Sequence, residues 1–385
     1  MMGNLPARSP RRTGLYLHIP FCRVKCHYCN FVITLDRSAP MRERFLCALE
    51  KEISMSRARY GNLPFETLYL GGGTPSALDS VEFIRVVSAL RASFSLDALK
   101  EFTVEINPGD VDAEKIRAFK DLGVNRASVG AQAFQQTLLE KMGRPHGASE
   151  IHDTVKLLKR EGIGNISLDL IFRLPGQDVN AFCASLDEAL SLEPAQLTLY
   201  DLEVHEKTRF GLMQKKGDLA LPGEDAHFEM FEKATMKLSG AGYRHYELLS
   251  FARPGFESRH NMLYWENQDY LGLGPGAFSY LEGTRYQFSE SVPQYFKKCE
   301  AGDWVPAVSD VLTPEKKEVE SLLTGLRLEE GVDLRDFPLI RESLRPAIEE
   351  LVREDLIETR GSRISLTFRG RALAETAFLR LTPGL

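Results

Sequence analysis

Between residue 13 and about residue 205, short apolar runs alternate with longer stretches of helical spacing. The runs at 15–19, 67–70, 102–106, 126–130, 166–171 and 196–200 have the length and boundaries of strands. Between them, over 41–56, 81–93, 113–122, 149–161 and 179–190, apolar residues recur at the spacing of a helix with one buried face. Regular strand–helix repetition implies parallel strands joined by crossover helices. Six such units predict an α/β fold, a partial (β/α)6 barrel of the TIM type. Two more units that would complete an eight-stranded barrel are not found.

The rhythm changes after about residue 206. A helix is expected over 226–238, stopped by Gly240 and Gly242, and an aromatic-rich stretch of loop and strand runs to about 305. The last seventy or so residues read as helix, helix, helix and a small hairpin turning at Gly361, a winged-helix-like pattern. The chain thus divides into a flexible tail at 1–12, a barrel at 13–215, an accessory region at 216–305 and a C-terminal winged-helix-like domain at 306–385.

In barrels of this kind the site lies at the C-terminal ends of the strands, and the polar outliers fall there. Three cysteines, Cys22, Cys26 and Cys29, follow the first strand in Phe21-Cys-Arg-Val-Lys-Cys-His-Tyr-Cys-Asn-Phe31. Gly71-Gly72-Gly73-Thr74-Pro75 follows the second, Glu105 ends the third, Gln132 follows the fourth and Asp169 lies in the fifth. Three thiolates can hold three irons of a [4Fe–4S] cube and leave the fourth open to a small molecule. Zinc is the competing reading, with His18, His27 or a distant residue as fourth ligand. A disulfide framework fails, because so close a trio leaves an odd thiol. The triple glycine gives a ligand access to exposed backbone amides, and no Gly-Lys-Ser/Thr follows to make it a phosphate loop. Gly272-Leu273-Gly274-Pro275-Gly276-Ala277 fits a dinucleotide fingerprint, but no βαβ unit surrounds it.

Charge narrows the partners. The chain of 385 residues is 43% hydrophobic and carries a net charge of −6, which argues against broad nucleic-acid affinity. No apolar run is long enough to span a membrane. The isolated Cys47, Cys183 and Cys299 suit a reducing cytoplasmic compartment.

The cysteine loop after Gly-Leu-Tyr-Leu-His-Ile-Pro, residues 14–20, resembles that of the radical S-adenosylmethionine (SAM) superfamily. The resemblance implies that Cys22, Cys26 and Cys29 hold a [4Fe–4S] cluster whose open iron is chelated by SAM. It implies that Tyr16, Gly72, Gly73, Thr74 and Glu105 cradle SAM, with Tyr28, Gln132, Arg144 and Asp169 lining the same cavity. The loop at 272–277 would close over the adenine, with Phe278 nearby. The motif order along nearly the whole chain looks like relatives of coproporphyrinogen III dehydrogenase. The oxygen-independent dehydrogenases carry a fourth cysteine where this chain has Phe31, and a longer N-terminal extension. His260-Asn261-Met262-Leu263-Tyr264-Trp265 resembles instead the signature of the HemW family of haem chaperones. That resemblance implies haem as cargo, His260 as its ligand or capture residue, and haem-accepting apo-proteins, respiratory ones among them, as partners. Peripheral membrane association and a homodimer belong to the same expectation. The alternative is an oxidative porphyrinogen decarboxylase.

Overall fold

The computed structural model describes residues 12–382. The tail expected at 1–12 therefore lies almost entirely outside the described residues. Six strands run parallel in chain order: β1 Thr13–Ile19, β2 Thr67–Gly72, β3 Glu101–Ile106, β4 Arg126–Gln132, β5 Asn165–Phe172 and β6 Gln196–Asp201. The crossovers are α1 Ala39–Tyr60, α2 Ser80–Ser93, α3 Ala113–Asp121, α4 Gln136–Lys141, α5 Ala148–Arg160 and α6 Val179–Ser191. Each strand and crossover helix expected between residues 13 and 205 is present within a few residues of its predicted limits. The short α4 was not expected: its six residues are too few to set a helical period.

The chain then continues through α7 Arg209–Lys216 and α8 Glu224–Gly240 to β7 Arg244–Glu247 and β8 Ser250–Ala252. Helix α9, Arg259–Trp265, carries the His260–Trp265 string, and β9 Asp269–Leu273, β10 Phe278–Leu281 and β11 Thr284–Gln287 follow. Next come α10 Val292–Ala301 and β12 Val308–Val311. These later strands extend the same sheet at both ends, giving twelve strands in the order β12-β11-β10-β9-β1-β2-β3-β4-β5-β6-β8-β7. Strand β9 pairs parallel with β1, and β8 pairs antiparallel with β6. Since β1 and β6 are not paired, the six-stranded barrel stays open.

The strands alternate strictly. Leu15, Leu17, Leu68, Leu70, Phe102, Val104, Ala127, Val129, Leu168, Leu170, Leu197 and Leu199 are buried in one large core shared with the crossover helices. Residues of the opposite parity line the inner face, and most are polar. Arg126 donates to Thr103 and Gln196, and Gln196 donates in turn to Thr198. Ser128 and Ser167 both donate to Asp169. A closed barrel fills its interior with branched apolar side chains; this open one fills it with a hydrogen-bonded polar layer.

A separate core gathers α11 Pro314–Gly325, β13 Val332–Asp333, α12 Arg341–Arg353, the hairpin of β14 Ile357–Arg360 and β15 Arg363–Leu366, and the short α13 Phe368–Ala372 and α14 Ala374–Arg380. Of the three helices expected before the hairpin, the middle one is a single 3-10 turn at Leu334–Asp336.

Candidate functional site

An open cavity of about 440 Å³ sits at the C-terminal ends of the parallel strands. Its lining includes Cys22, Cys26, Tyr28, Cys29, Gly72, Gly73, Thr74, Glu105, Gln132, Arg144 and Asp169. Eleven of the thirteen expected site residues are therefore brought together; Tyr16 and His260 are not in the lining.

The cysteine loop is held by backbone hydrogen bonds at several points. Cys22 N donates to Thr34 O at 3.1 Å and Thr34 N to Pro20 O at 2.7 Å, closing the neck of the loop. Its tip is tied outward, His27 N to Met142 O at 2.8 Å and Phe210 N to His27 O at 2.9 Å. All three thiols are free and partly exposed. Burial raises the Cys29 thiol and pushes Cys22 up to about 11, opposed at Cys22 by the Thr74 hydroxyl.

A chain of donors runs beneath the sulfurs. Arg144 Nη1 donates to Cys26 Sγ at 3.5 Å, and its Nη2 donates to Asn107 Oδ1 and Gly130 O, both at 2.8 Å. Asn107 Nδ2 donates to Thr74 Oγ1 at 2.7 Å, which leaves the Thr74 hydroxyl proton for Cys22 Sγ at 3.6 Å. Arg144 Nε is buried without a hydrogen-bond partner among the described residues. Three free thiols with a guanidinium and a hydroxyl donating to two of them fit an iron–sulfur cluster, since hydrogen bonds to cluster sulfurs tune it. Zinc fits poorly. Among the described residues no three His, Cys, Asp or Glu side chains are grouped to hold one metal ion. His18 is engaged at both ring nitrogens by Tyr16 OH and Val32 O, and His27 by Lys141 O and Arg209.

Glycines at the end of β2 serve close packing. A Cβ at Gly73 would sit 2.8 Å from Ile19 O and 2.9 Å from Phe21 O, and one at Gly72, whose φ is +105°, would strike the His18 ring. The exposed amides expected here are not found: Gly73 N donates to Ile19 O and Gly72 N to Glu105 Oε2. Glu105 also accepts from Tyr69 OH at 2.8 Å. Burial, opposed by that phenol, raises its carboxyl to about 7, and burial likewise lifts Asp169 to about 6. At the end of β4 a register shift against β5 and a left-handed backbone at Gln132, φ +67°, re-aim that side chain into the cavity.

Two expected contributors lie outside the lining. His260 is 1% exposed, and its Nδ1 meets Thr67 Oγ1 at 2.7 Å while Nε2 meets Tyr264 OH at 2.8 Å. Its ring stacks on Tyr69, centroids 5.0 Å apart, and burial drives its pKa down to about 3. Helix α9 docks by its amides, since Glu101 accepts from Arg259 N at 2.8 Å and from His260 N at 3.1 Å. The 272–277 loop does not line the cavity either. It is the turn of the β9–β10 hairpin and buttresses the cysteine loop from behind, with Gly274 against His18 O and Gly276 against Val32. Phe278 is exposed and is not part of the cavity lining.

Sequence reasoning missed Asn107 and Tyr69. Asn107 stands two residues after Glu105 at the same strand end, which was the available signal. Tyr69 reads as an ordinary strand aromatic; only its placement opposite Glu105 gives it a role.

Comparison with known proteins agrees with this geometry. The Radical SAM superfamily model matches residues 16–189 and the HemN C-terminal domain model matches residues 312–373. The heme chaperone HemW of Lactococcus lactis subsp. lactis is 36% identical, covering 94% of this chain and 95% of its own. That of Bacillus subtilis is 36% identical over 94% and 97%, and that of Escherichia coli 30% identical over 93% and 95%. Among solved structures, the coproporphyrinogen III oxidase HemN of Escherichia coli, a radical SAM enzyme, superposes with a TM-score of 0.85 over 98% of this chain and 92% of that one. At 22% identity that likeness concerns the fold. The chain belongs to the HemW family, within the radical SAM superfamily.

Proposed function

We propose that this protein is a haem chaperone that binds a [4Fe–4S] cluster, SAM and haem and delivers haem to apo-proteins. The observation that carries the reading is the convergence of Cys22, Cys26 and Cys29 with the β2 turn, Glu105, Gln132, Arg144 and Asp169 around one open cavity. The names of the relatives supply the cargo.

In this reading the three thiolates hold the cluster, and Arg144 and Thr74 stabilise their charge by donating to Cys26 and Cys22. When bound, the cluster and SAM together can supply reductive cleavage of the sulfonium. Glu105, held between Tyr69 OH and Gly72 N, keeps acceptor capacity for a ribose hydroxyl. Tyr16 supports this wall from outside the lining, its hydroxyl fixing the His18 ring against the β2 turn. Gln132, Tyr28 and Asp169 complete the cavity wall. The recipients in this proposal are haem-requiring respiratory apo-proteins, met in the cytoplasm or at the membrane face, with the chaperone acting as a homodimer. No helix among the described residues is long and apolar enough to cross a membrane.

The test is anaerobic reconstitution followed by iron and sulfide analysis, SAM calorimetry and haem titration, with coproporphyrinogen turnover measured beside them. Three-cysteine-dependent cluster assembly, SAM binding and saturable haem binding without decarboxylation are expected. Decarboxylation without saturable haem binding would make the chain an enzyme of porphyrin synthesis instead.

A further inference from the structure

With His260 sealed inside the barrel, a haem cargo needs another iron ligand. Haem iron takes an axial imidazole, thiolate, thioether or phenolate. Among the described residues the cavity lining contains no methionine, and its one histidine is His205. Its three cysteines are assigned to the cluster. Tyr28 packs beside Arg144 and Cys26, while burial and the carboxylates of Asp169 and Glu105 hold the Tyr200 phenol protonated.

His205 has the geometry of a ligand. It lies in the loop between β6 and α7 with its side chain 37% exposed, and its Nδ1 faces Glu203 Oε1 at 3.6 Å. Among the described residues no hydrogen bond occupies its Nε2. At that distance the carboxylate is an ion-pair neighbour of Nδ1, close enough to favour a proton there, and Nε2 is left open to a metal. The loop is hydrogen-bonded at this point. The His205 carbonyl accepts from Thr208 N at 3.0 Å and from Thr208 Oγ1 at 2.7 Å, and Gly211 leaves no room for a Cβ against that carbonyl. Phe210 N and Arg209 Nη1 tie the same segment to His27 in the cysteine loop.

The rest of the cavity mouth suits a macrocycle. Phe31 is 64% exposed and Val24 39% exposed in the cysteine loop, and Ile33, Ile171 and Leu202 join them in the lining. Arg23, half exposed and paired among the described residues with Asp110, stands at the same lining as a cation for a propionate. We infer that haem binds at the cavity mouth with His205 Nε2 as its axial ligand, over the apolar face of Phe31 and Val24. The inference rests on the reading of the chain as a haem chaperone. A mouth site leaves one haem edge in solvent, which suits a cargo that must be handed on, and leaves the deeper wall at Gly72–Thr74 and Glu105 to SAM.

The experiment is anaerobic haem titration of the cluster-loaded full chain, comparing wild type with His205→Ala and His205→Tyr and following the Soret and visible bands. His205→Ala is expected to weaken haem at least tenfold and to lose the imidazole-ligated spectrum, which free imidazole restores. His205→Tyr is expected to convert the spectrum to a phenolate-ligated type. Unchanged cluster absorbance and SAM affinity in both variants shows that the fold is intact. If both variants bind haem with wild-type affinity and spectrum, the inference is overturned while the chaperone reading stands. If wild type binds no haem, both fall.

Discussion

At the scale of single residues, the site is governed by what burial does to charge. Glu105 is raised to about 7 by burial, so near neutrality it is only partly ionised. If the carboxylate is the better acceptor for a ribose hydroxyl, SAM affinity should rise several-fold between pH 6 and pH 8. Calorimetry on wild type and Glu105→Gln checks this, with a flat profile expected in the variant. A wild-type profile that is flat as well would remove Glu105 from the SAM site. His260 answers to a different test. Its ring nitrogens satisfy Thr67 and Tyr264 in a buried setting, so His260→Ala leaves a cavity and two unpaired hydroxyls. We expect a loss of about 2–4 kcal/mol in denaturant melts. A variant as stable as wild type would contradict the structural role given to this residue.

Among the elements, the cysteine loop depends on the pieces packed around it. The end of β2 lies so close that Gly73→Ala would drive a methyl into the backbone at Ile19 and Phe21. That variant should fold less stably and retain less iron, measured by melting and by iron content after reconstitution; wild-type iron content would show that the contact relaxes at no cost. Behind the loop, Glu52 of α1 accepts from Gly274 N at 2.7 Å and Tyr295 OH at 2.8 Å, and burial raises it to about 7. With Glu105 and Asp169 it stays protonated in the native state at pH values where the unfolded chain has lost those protons. The native state then binds more protons, so stability falls as pH rises from the ordinary carboxylate range through about 7. The slope is at most about 1.4 kcal/mol per pH unit for each group. Glu52→Gln keeps an acceptor for both donors and should flatten part of that loss in melts from pH 5 to pH 8. An unaltered slope would mean that Glu52 is ionised in the native state.

For the whole molecule, the strand–helix rhythm was legible because each strand turns apolar side chains at alternate positions toward the helices and each crossover helix buries one face. The glycines, Glu105, Gln132 and Asp169 were legible for a related reason: polar residues recurring at equivalent strand ends share one mouth. What could not be read was which way the later chain turns. Nothing local says that β9 pairs beside β1 or that β8 pairs beside β6, since those pairings join segments far apart in sequence. The same pairing turns α9 inward and buries His260, whereas Trp265 at its end lies under the Arg327 guanidinium, 4.2 Å from the ring, and Asn267 donates to Ser321. The string that resembles a haem-binding signature thus joins the barrel interior to the C-terminal domain. His205, by contrast, stands in a loop whose sequence carries no recognisable spacing, and only the cavity reveals it.

The central claim is delivery, and haem transfer tests it most directly. Cluster-bearing protein loaded with haem is mixed anaerobically with a haem-free respiratory acceptor, and the acceptor's spectrum is followed with and without SAM. The account predicts saturable transfer at a rate independent of free haem released to a scavenger. Haem that leaves only through the scavenger-accessible pool, at the same rate with or without acceptor, would contradict it.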